Sequence, residues 1–250
     1  MISEEIKRYL DEKVLEYNTS EFIEDDPVKL PHRFNKKEDI EIVALLVATI
    51  AWGNRKSIIK NGKRLIELME FQPLEFILSN DDFSKFDFVH RTFNAVDLDF
   101  FFRGLKHIYE NEGGLEQVFD KELSAKASIL NFRNTMFTVP HEKRSEKHLA
   151  NPDKGSSAKR MNMFLRWMVR KDKRNVDFGI WEQHKMSNLY VPLDVHTGIS
   201  ARKLGLITRN ANDWKALEEL MTHLKEFCPE DPCKYDFALF GMSVNNELEF

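Results

Sequence analysis

Two stretches of the sequence combine residue types that could carry out covalent chemistry. In the first, GSSAKRMN (155–162), a glycine and two serines precede Lys159. Backbone N–H groups at the start of a helix bind anions, and Gly155 would let the chain approach a ligand closely. Lys159 would lie in the first helical turn, where the helix dipole and Arg160 favour the uncharged amine that acts as a nucleophile. The alternative is an ordinary serine-capped helix with a solvated lysine.

The second stretch, YVPLDVHTGISARKLGL (190–206), places a carboxylate at the start of a predicted helix. Asp194 follows Pro192 and occupies the position of an N-cap. It is interpreted either as a cap alone or as a catalytic carboxylate at the mouth of a cleft, with His196 as a base or a metal ligand. The eight histidines show no HxxxH or HxH spacing, and no phosphate-binding glycine loop is present. We therefore expect neither a metal nor a cofactor.

The elements that must position these residues are predicted to be helices. The 250 residues include only 10 Gly and 8 Pro, which argues against an all-β fold with its many tight turns. Asn35 and Glu38 form a capping-box pattern before a strongly apolar segment. We expect an all-α fold, either as one globular unit over 1–250 or as two helical lobes divided near the aperiodic segment 138–157. The helices are predicted at 39–52, 55–70, 97–111, 114–122, 124–137, 158–170 and 210–227.

Cysteine content and hydropathy exclude several classes of protein. Two cysteines, Cys228 and Cys233, cannot form a four-thiolate iron–sulfur cluster or a four-cysteine zinc site. A disulfide between them is possible but is not expected. The first residues are charged and amphipathic, and no apolar run reaches the roughly 18 residues of a membrane span. We expect a cytoplasmic protein that does not enter a membrane.

Charge is concentrated in one part of the chain. The net charge is −4, yet residues 143–174 contain 11 Lys or Arg and three acidic residues. Within 158–170, Asn162, Arg166 and Arg170 lie opposite the apolar face at helical spacing. One interpretation is a solvated helix face. The other is a local phosphate-tracking surface in an otherwise acidic protein.

Taken together, these segments resemble the helix-hairpin-helix superfamily of DNA glycosylases, which includes endonuclease III, the adenine glycosylase MutY and the 8-oxoguanine glycosylases. GSSAKRMNMF resembles the hairpin and lysine-bearing helix of that superfamily, and VPLDVHTGISARKLGL resembles its aspartate-bearing segment. The resemblance extends over residues 38–244 and implies a two-lobed helical fold with a cleft between the lobes. The chain also resembles an uncharacterised bacterial family in the segments WGNRK (52–56), GSSAKRMNMFLRWMVR (155–170), DFGIW (177–181) and PLDVH (192–196).

The glycosylase resemblance implies DNA repair chemistry on damaged or abasic DNA. Lys159 would attack the sugar carbon of a flipped nucleotide, and Asp194 would stabilise the developing positive charge and help to activate the amine. Residues implied in binding nucleic acid are Lys154, Gly155, Ser156, Ser157, Arg160, Arg166 and Arg170. Residues implied in the base pocket are Trp52, Asn54, Arg55, Asn162 and His196.

Two features depart from the superfamily pattern. The hairpin retains only Gly155 where two glycines are usual, and 35 residues separate Lys159 from Asp194, about twice the usual spacing. Two further functions therefore remain open. One is a non-catalytic protein that binds DNA or RNA on the same fold. The other is a protein with an unrelated small-molecule pocket or a role in protein interaction.

Overall fold

The computed structural model describes residues 4–247, which form a mostly helical structure with one two-stranded sheet. The all-α class predicted from composition and periodicity is confirmed. In chain order the elements are α1 (Glu4–Tyr17), α2 (Ser20–Asp25), α3 (Lys37–Thr49), α4 (Arg55–Leu68), α5 (Pro73–Ser79), β1 (Val89–His90), β2 (Phe93–Asn94), α6 (Ala95–Asn111), α7 (Leu115–Val118), α8 (Ala125–Met136), α9 (Lys159–Val169), α10 (Val195–Lys203), α11 (Trp214–Phe227) and α12 (Tyr235–Val244).

The chain divides into two compact units. The first unit contains the described residues up to Glu24 together with those from Asn151 onward, and the second unit spans Asp25–Ala150. The return from the second unit to the first falls within the aperiodic segment 138–157, which forms short 3-10 turns at Lys143–His148 and Pro152–Lys154. The first unit is therefore discontinuous in sequence.

Helix α3 is the buried centre of the second unit. Every residue from Ile40 to Thr49 is buried, as expected for a helix that is apolar all round. The expected capping box is wrong. Lys36 is the N-cap, and no side chain caps the helix.

Phenylalanine rings build much of the core around α3. The chain contains 20 Phe, and the ring of Phe102 packs against those of Phe76 and Phe83 at centroid distances of 5.4 and 5.2 Å. Phe119 and Phe132 stack at 4.7 Å between α7 and α8. Aromatic pairs of this kind add about 0.5–1.5 kcal/mol each to the area that they bury. Large rings in contact thus hold the short helices of this unit together.

Helix α12 is the apolar centre of the first unit, where it packs against α1 and α10. The close approach of α1 depends on Gly241, which has no side chain to separate the two helices. A Cβ atom at Gly241 would lie 2.4 Å from two ring carbons of Tyr17. Contact at this position therefore requires glycine despite its low helix propensity.

The described structure differs from the sequence-based predictions of secondary structure in two places. The helix predicted at 114–122 is a single turn, α7, and the β1–β2 hairpin was not predicted. Among the helices within residues 4–247, none combines the length and the apolar character that crossing a membrane requires.

We predict that Gly241→Ala lowers the free energy of unfolding by about 1–3 kcal/mol, because the new methyl group overlaps the Tyr17 ring. Helix propensity alone predicts the opposite, a gain of about 1 kcal/mol. Urea denaturation measures the difference, with Thr222→Ala at an exposed position of α11 as the control. A Gly241→Ala protein as stable as the wild type would contradict the packing argument.

Candidate functional site

Lys159 and Asp194 lie together in the first unit, although 35 positions separate them in sequence. The Nζ atom of Lys159 is 3.2 Å from Oδ2 of Asp194. Lys159 is the first residue of α9, and Asp194 is the N-cap of α10. Their side chains are 35% and 13% exposed, so the pair is reachable from solvent while its carboxylate is largely covered. The structure thus brings together the two residues predicted to carry the chemistry.

The hairpin before α9 directs Lys159 through its backbone. The side chain of Asn151 accepts hydrogen bonds from the backbone N–H groups of Asp153 and Lys154, which closes a tight turn. Gly155 follows with φ +87°, in the left-handed region that favours glycine. A Cβ at Gly155 would meet nothing within 4 Å. Glycine is therefore required here by the backbone angle rather than by lack of space.

The end of the hairpin is tied to the start of α11. Ser156 forms an isolated antiparallel bridge with Asp213, and the N–H of Trp214 donates to the carbonyl oxygen of Gly155 at 3.0 Å. Ala158 then adopts φ +48°, which is unusual for a residue with a side chain, and α9 begins directly after it. The strained turn at Ala158 sets the direction in which α9 leaves the hairpin.

The two oxygens of Asp194 have separate partners. Oδ1 accepts from the backbone N–H of Thr197 at 2.9 Å, which confirms the predicted N-cap of α10. Oδ2 faces Lys159. The backbone is also anchored, because the Asn212 amide donates to the carbonyl oxygen of Asp194 at 2.8 Å. Asp194 therefore caps a helix and also presents one carboxylate oxygen to the amine.

A buried carboxylate that the sequence reasoning missed lies behind this pair. Asp236 of α12 is 5% exposed, and its Oδ1 is 3.4 Å from the hydroxyl oxygen of Thr197. Its other oxygen accepts a hydrogen bond from Arg166. Burial raises the pKa of Asp236 to about 6, opposed by the charge of Arg166 and reinforced by that of Asp194. The signal in the sequence was a single acidic residue within the apolar helix YDFALFGMSV.

The prediction that Arg166 and Arg170 bind phosphates is wrong for the described structure, because both side chains are interior. They are 4% and 2% exposed. Asp177 joins them, accepting from Arg166 Nε and from Arg170 Nη1, each at 3.1 Å. The remaining partners are Asp236 for Arg166, and Asp172 and Asp231 for Arg170.

The two arginines are buried because of residues 171–190, an excursion of the chain that lies between Lys159 and Asp194 in sequence. The backbone N–H groups of Phe178 and Trp181 donate to the carbonyl oxygens of Trp167 and Met168 at 2.8 and 3.0 Å. The excursion therefore covers the end of α9, whose polar face would otherwise meet solvent. Asn162 is covered as well, with no exposed surface, and its amide donates to the carbonyl oxygen of Ser157 at 2.9 Å. Its predicted place in an open pocket is not supported.

The other residues predicted to bind nucleic acid differ in exposure. Lys154, Gly155 and Ser156 are exposed, whereas Ser157 is buried and its hydroxyl donates to the carbonyl oxygen of Leu193 at 3.3 Å. Burial lowers the pKa of Arg160 to about 10. The hairpin thus offers its exposed residues to a ligand through 154–156.

His196 lies on the exposed side of α10. Its Nδ1 is 3.1 Å from the hydroxyl oxygen of Ser243, and its ring meets the edge of Phe240 at 5.6 Å. These contacts hold the imidazole against Ser243 and Phe240 rather than against Lys159.

Trp52, Asn54 and Arg55 belong to the second unit. The partly exposed Trp52 ring lies 5.1 Å from the ring of His90 and 5.8 Å from that of His148. Asn54 caps α4, with its side-chain oxygen accepting from the N–H of Ser57 at 3.2 Å. Arg55 is exposed.

The supports of Trp52 are buried and polar. His148 Nε2 is 3.2 Å from Oδ2 of Asp97, a carboxylate with no exposed surface. Burial lowers the pKa of His90, and the charge of Arg91 lowers it further. The hydrogen bond to the carbonyl oxygen of Trp52 opposes both effects by raising the pKa. The tryptophan is therefore held in one orientation by neighbours in its own unit.

The described residues were compared with the requirements of a metal site and of a reactive thiol. Across residues 4–247, no group of three or more His, Cys, Asp or Glu side chains is arranged to hold a metal ion. Cys228 and Cys233 are both free thiols. Burial raises the pKa of the Cys233 thiol, which disfavours the reactive thiolate.

Because the pKa of Asp236 is raised from 3.8 to about 6, its protonated form favours the folded state. Its contribution to the free energy of unfolding is present below pH 3.8 and is lost as pH rises through about 6. The variant Asp236→Asn does not titrate at this position. We predict that its free energy of unfolding, taken relative to that of the wild type, rises by about 1–3 kcal/mol from pH 4 to pH 7, because one pKa unit corresponds to about 1.4 kcal/mol.

Urea denaturation at half-unit steps of pH tests this prediction, with the exposed Asp87→Asn as the control. A difference between Asp236→Asn and wild type that stays constant across this range would contradict the role of burial.

Comparison with known proteins places the chain in a family. No curated protein and no solved structure matches it. One family model matches residues 26–245, which includes both Lys159 and Asp194. The expectation of an uncharacterised family is thereby confirmed. The chain belongs to the family described as "Protein of unknown function (DUF2400)".

Proposed function

We propose that this protein is a DNA-processing enzyme of the glycosylase and lyase type, acting on damaged or abasic nucleotides with Lys159 as nucleophile. The observation that carries the proposal is the 3.2 Å contact between Lys159 Nζ and Asp194 Oδ2 at the starts of two helices. The resemblance to helix-hairpin-helix glycosylases supports the same assignment, and with it that fold. The DNA partner follows from the resemblance and from the exposed hairpin 154–156.

The proposed reaction begins with proton transfer from the Lys159 ammonium group, for which Asp194 Oδ2 is the nearest carboxylate oxygen in the ion pair. The amine lone pair then attacks C1′ of the sugar. On a damaged nucleotide, the bond from C1′ to the base breaks and its electron pair leaves with the base. The departing base takes up the proton held by Asp194, and the carboxylate so restored stabilises the positive charge that develops on the sugar during this step.

On an abasic sugar, the amine adds to the C1′ aldehyde, and the carbonyl electron pair moves to oxygen. Asp194 returns its proton to the resulting hydroxyl group, and loss of water leaves an iminium between Lys159 and the sugar. Borohydride delivers hydride to the iminium carbon and converts it to a stable secondary amine. A lysine nucleophile is thereby recorded as a covalent protein–DNA adduct.

We predict that borohydride traps wild-type protein on abasic-site DNA and that Lys159→Ala abolishes trapping, because the attacking nitrogen is lost. Denaturing gel electrophoresis of labelled DNA measures the adduct. Lys215→Ala is the matched control, since Lys215 is an exposed lysine at the start of α11 in the same unit. Wild-type protein that binds such DNA but never traps it would favour the non-catalytic binding function.

We predict that Asp194→Asn lowers the rate of trapping by about 100-fold or more, the scale of a lost general base. Asparagine caps a helix about as well as aspartate, so the N-cap bond to Thr197 is kept and stability changes little. The variant therefore separates the two tasks of Asp194. Trapping rates and thermal melting measured on the same samples decide the outcome, and an unchanged rate would exclude Asp194 from the chemistry.

A further inference from the structure

Helix α4 in the second unit carries a stripe of positive charge. Of its 14 residues, five are Lys or Arg, and only Glu67 is acidic. Lys56, Lys60 and Lys63 recur at helical spacing, share one face and are all exposed. The remaining residues of 25–150 include 14 basic and 19 acidic side chains. The positive charge of this unit is therefore concentrated on one helix.

The three lysines of the stripe differ from Arg64 of the same helix in their pairing. In the described part of the chain, Lys56, Lys60 and Lys63 form no ion pair, whereas Arg64 contacts Asp87. The first turn of α4 contains basic residues and no acidic one. The helix dipole favours anions in the first turn, so cations there make the helix less stable. Such an arrangement is typical of charges that serve an external anion.

The stripe continues into the turn that precedes α4. Gly53 has φ +97°, and the Arg91 side chain packs over it, with Nη1 2.6 Å from where a Cβ would lie. Arg91 is exposed and adds a cation beside the N-terminus of α4. The partly exposed ring of Trp52 is next in sequence.

We propose that the α4 face, defined as Lys56, Lys60 and Lys63 together with Arg91, binds the phosphate backbone of duplex DNA without reading its sequence. The inference rests on the proposed function in taking nucleic acid as the polyanion. The three lysines cover about 10 Å along the helix axis, at about 1.5 Å per residue. Duplex DNA presents about one charge per 1.7 Å of its axis, so several phosphates lie within their reach. Lysines on flexible stems suit phosphates rather than base edges.

Two other kinds of partner, an anionic membrane and a protein surface, fit the α4 face less well. Binding in an anionic membrane requires an apolar face that enters the lipid, but Ile58, Leu65 and Ile66 are buried in the core of the unit. A stable protein interface requires an apolar centre with aromatic anchors, and the exposed face of α4 presents only polar and charged side chains.

The test compares two triple variants that remove equal charge from the same unit. Lys56→Gln/Lys60→Gln/Lys63→Gln removes the stripe, and Lys36→Gln/Lys85→Gln/Lys121→Gln removes three exposed lysines elsewhere. The probe is an undamaged 20-base-pair duplex, followed by fluorescence anisotropy from low to moderate salt. Each phosphate contact contributes about 0.9 to the slope of log Kobs against log salt. We expect the stripe variant to lose about 2 to 3 of that slope and the control variant to keep it.

The same variants distinguish this inference from the proposed function. An unchanged salt slope in the stripe variant, or wild-type protein that binds anionic phosphatidylserine vesicles but not the duplex, would overturn the α4 proposal. If borohydride trapping at Lys159 persists in that case, the proposed function stands without it. If the slope falls as expected but no trapping occurs with wild-type protein, the α4 face stands and the proposed chemistry fails.

Discussion

The candidate site depends on a group of buried charges in the first unit. Arg166 of α9 and Arg170, the C-cap of that helix, hold carboxylates from the 171–190 excursion, from the segment before α12 and from α12 itself. Two buried guanidinium groups are tolerable only because each is paired, and removal of one partner from such a group costs about 3–5 kcal/mol. The same group reaches Thr197 through Asp236, and so the start of α10. The positions of Lys159 and Asp194 are thereby linked through the interior.

The distribution of charge follows from this arrangement. Two arginines of the basic segment 143–174 are interior, and its first three cations belong to the second unit. Lys56, Lys60 and Lys63, which form no ion pair in the described part of the chain, lie together on α4. A net charge near zero or below therefore says little about where an anion could bind.

Much of the fold follows from local sequence rules, and much of the site does not. The burial of α3 and the cap at Asp194 were predictable, since apolar periodicity and N-cap chemistry act within a few residues. The burial of Arg166 was not predictable from the sequence. Helical spacing shows which residues share a face, but it does not show which segment covers that face. Asp236 was overlooked for a related reason, since its partners lie 39 and 70 positions away. The pairing of Lys159 with Asp194 was expected only through a family resemblance.

The discontinuity of the first unit has a consequence for the order in which the chain folds. Helix α1 is made before the second unit, yet its packing partner α12 lies more than 200 residues further along. The second unit is continuous and can close while the ribosome is still working, since domains generally fold as units from the N-terminus. Until α12 emerges, the apolar face of α1 around Leu10 and Val14 has no place to pack. Helix α1 is thus made before the second unit but buried after it, and during that interval its apolar face is exposed to aggregation or to chaperones.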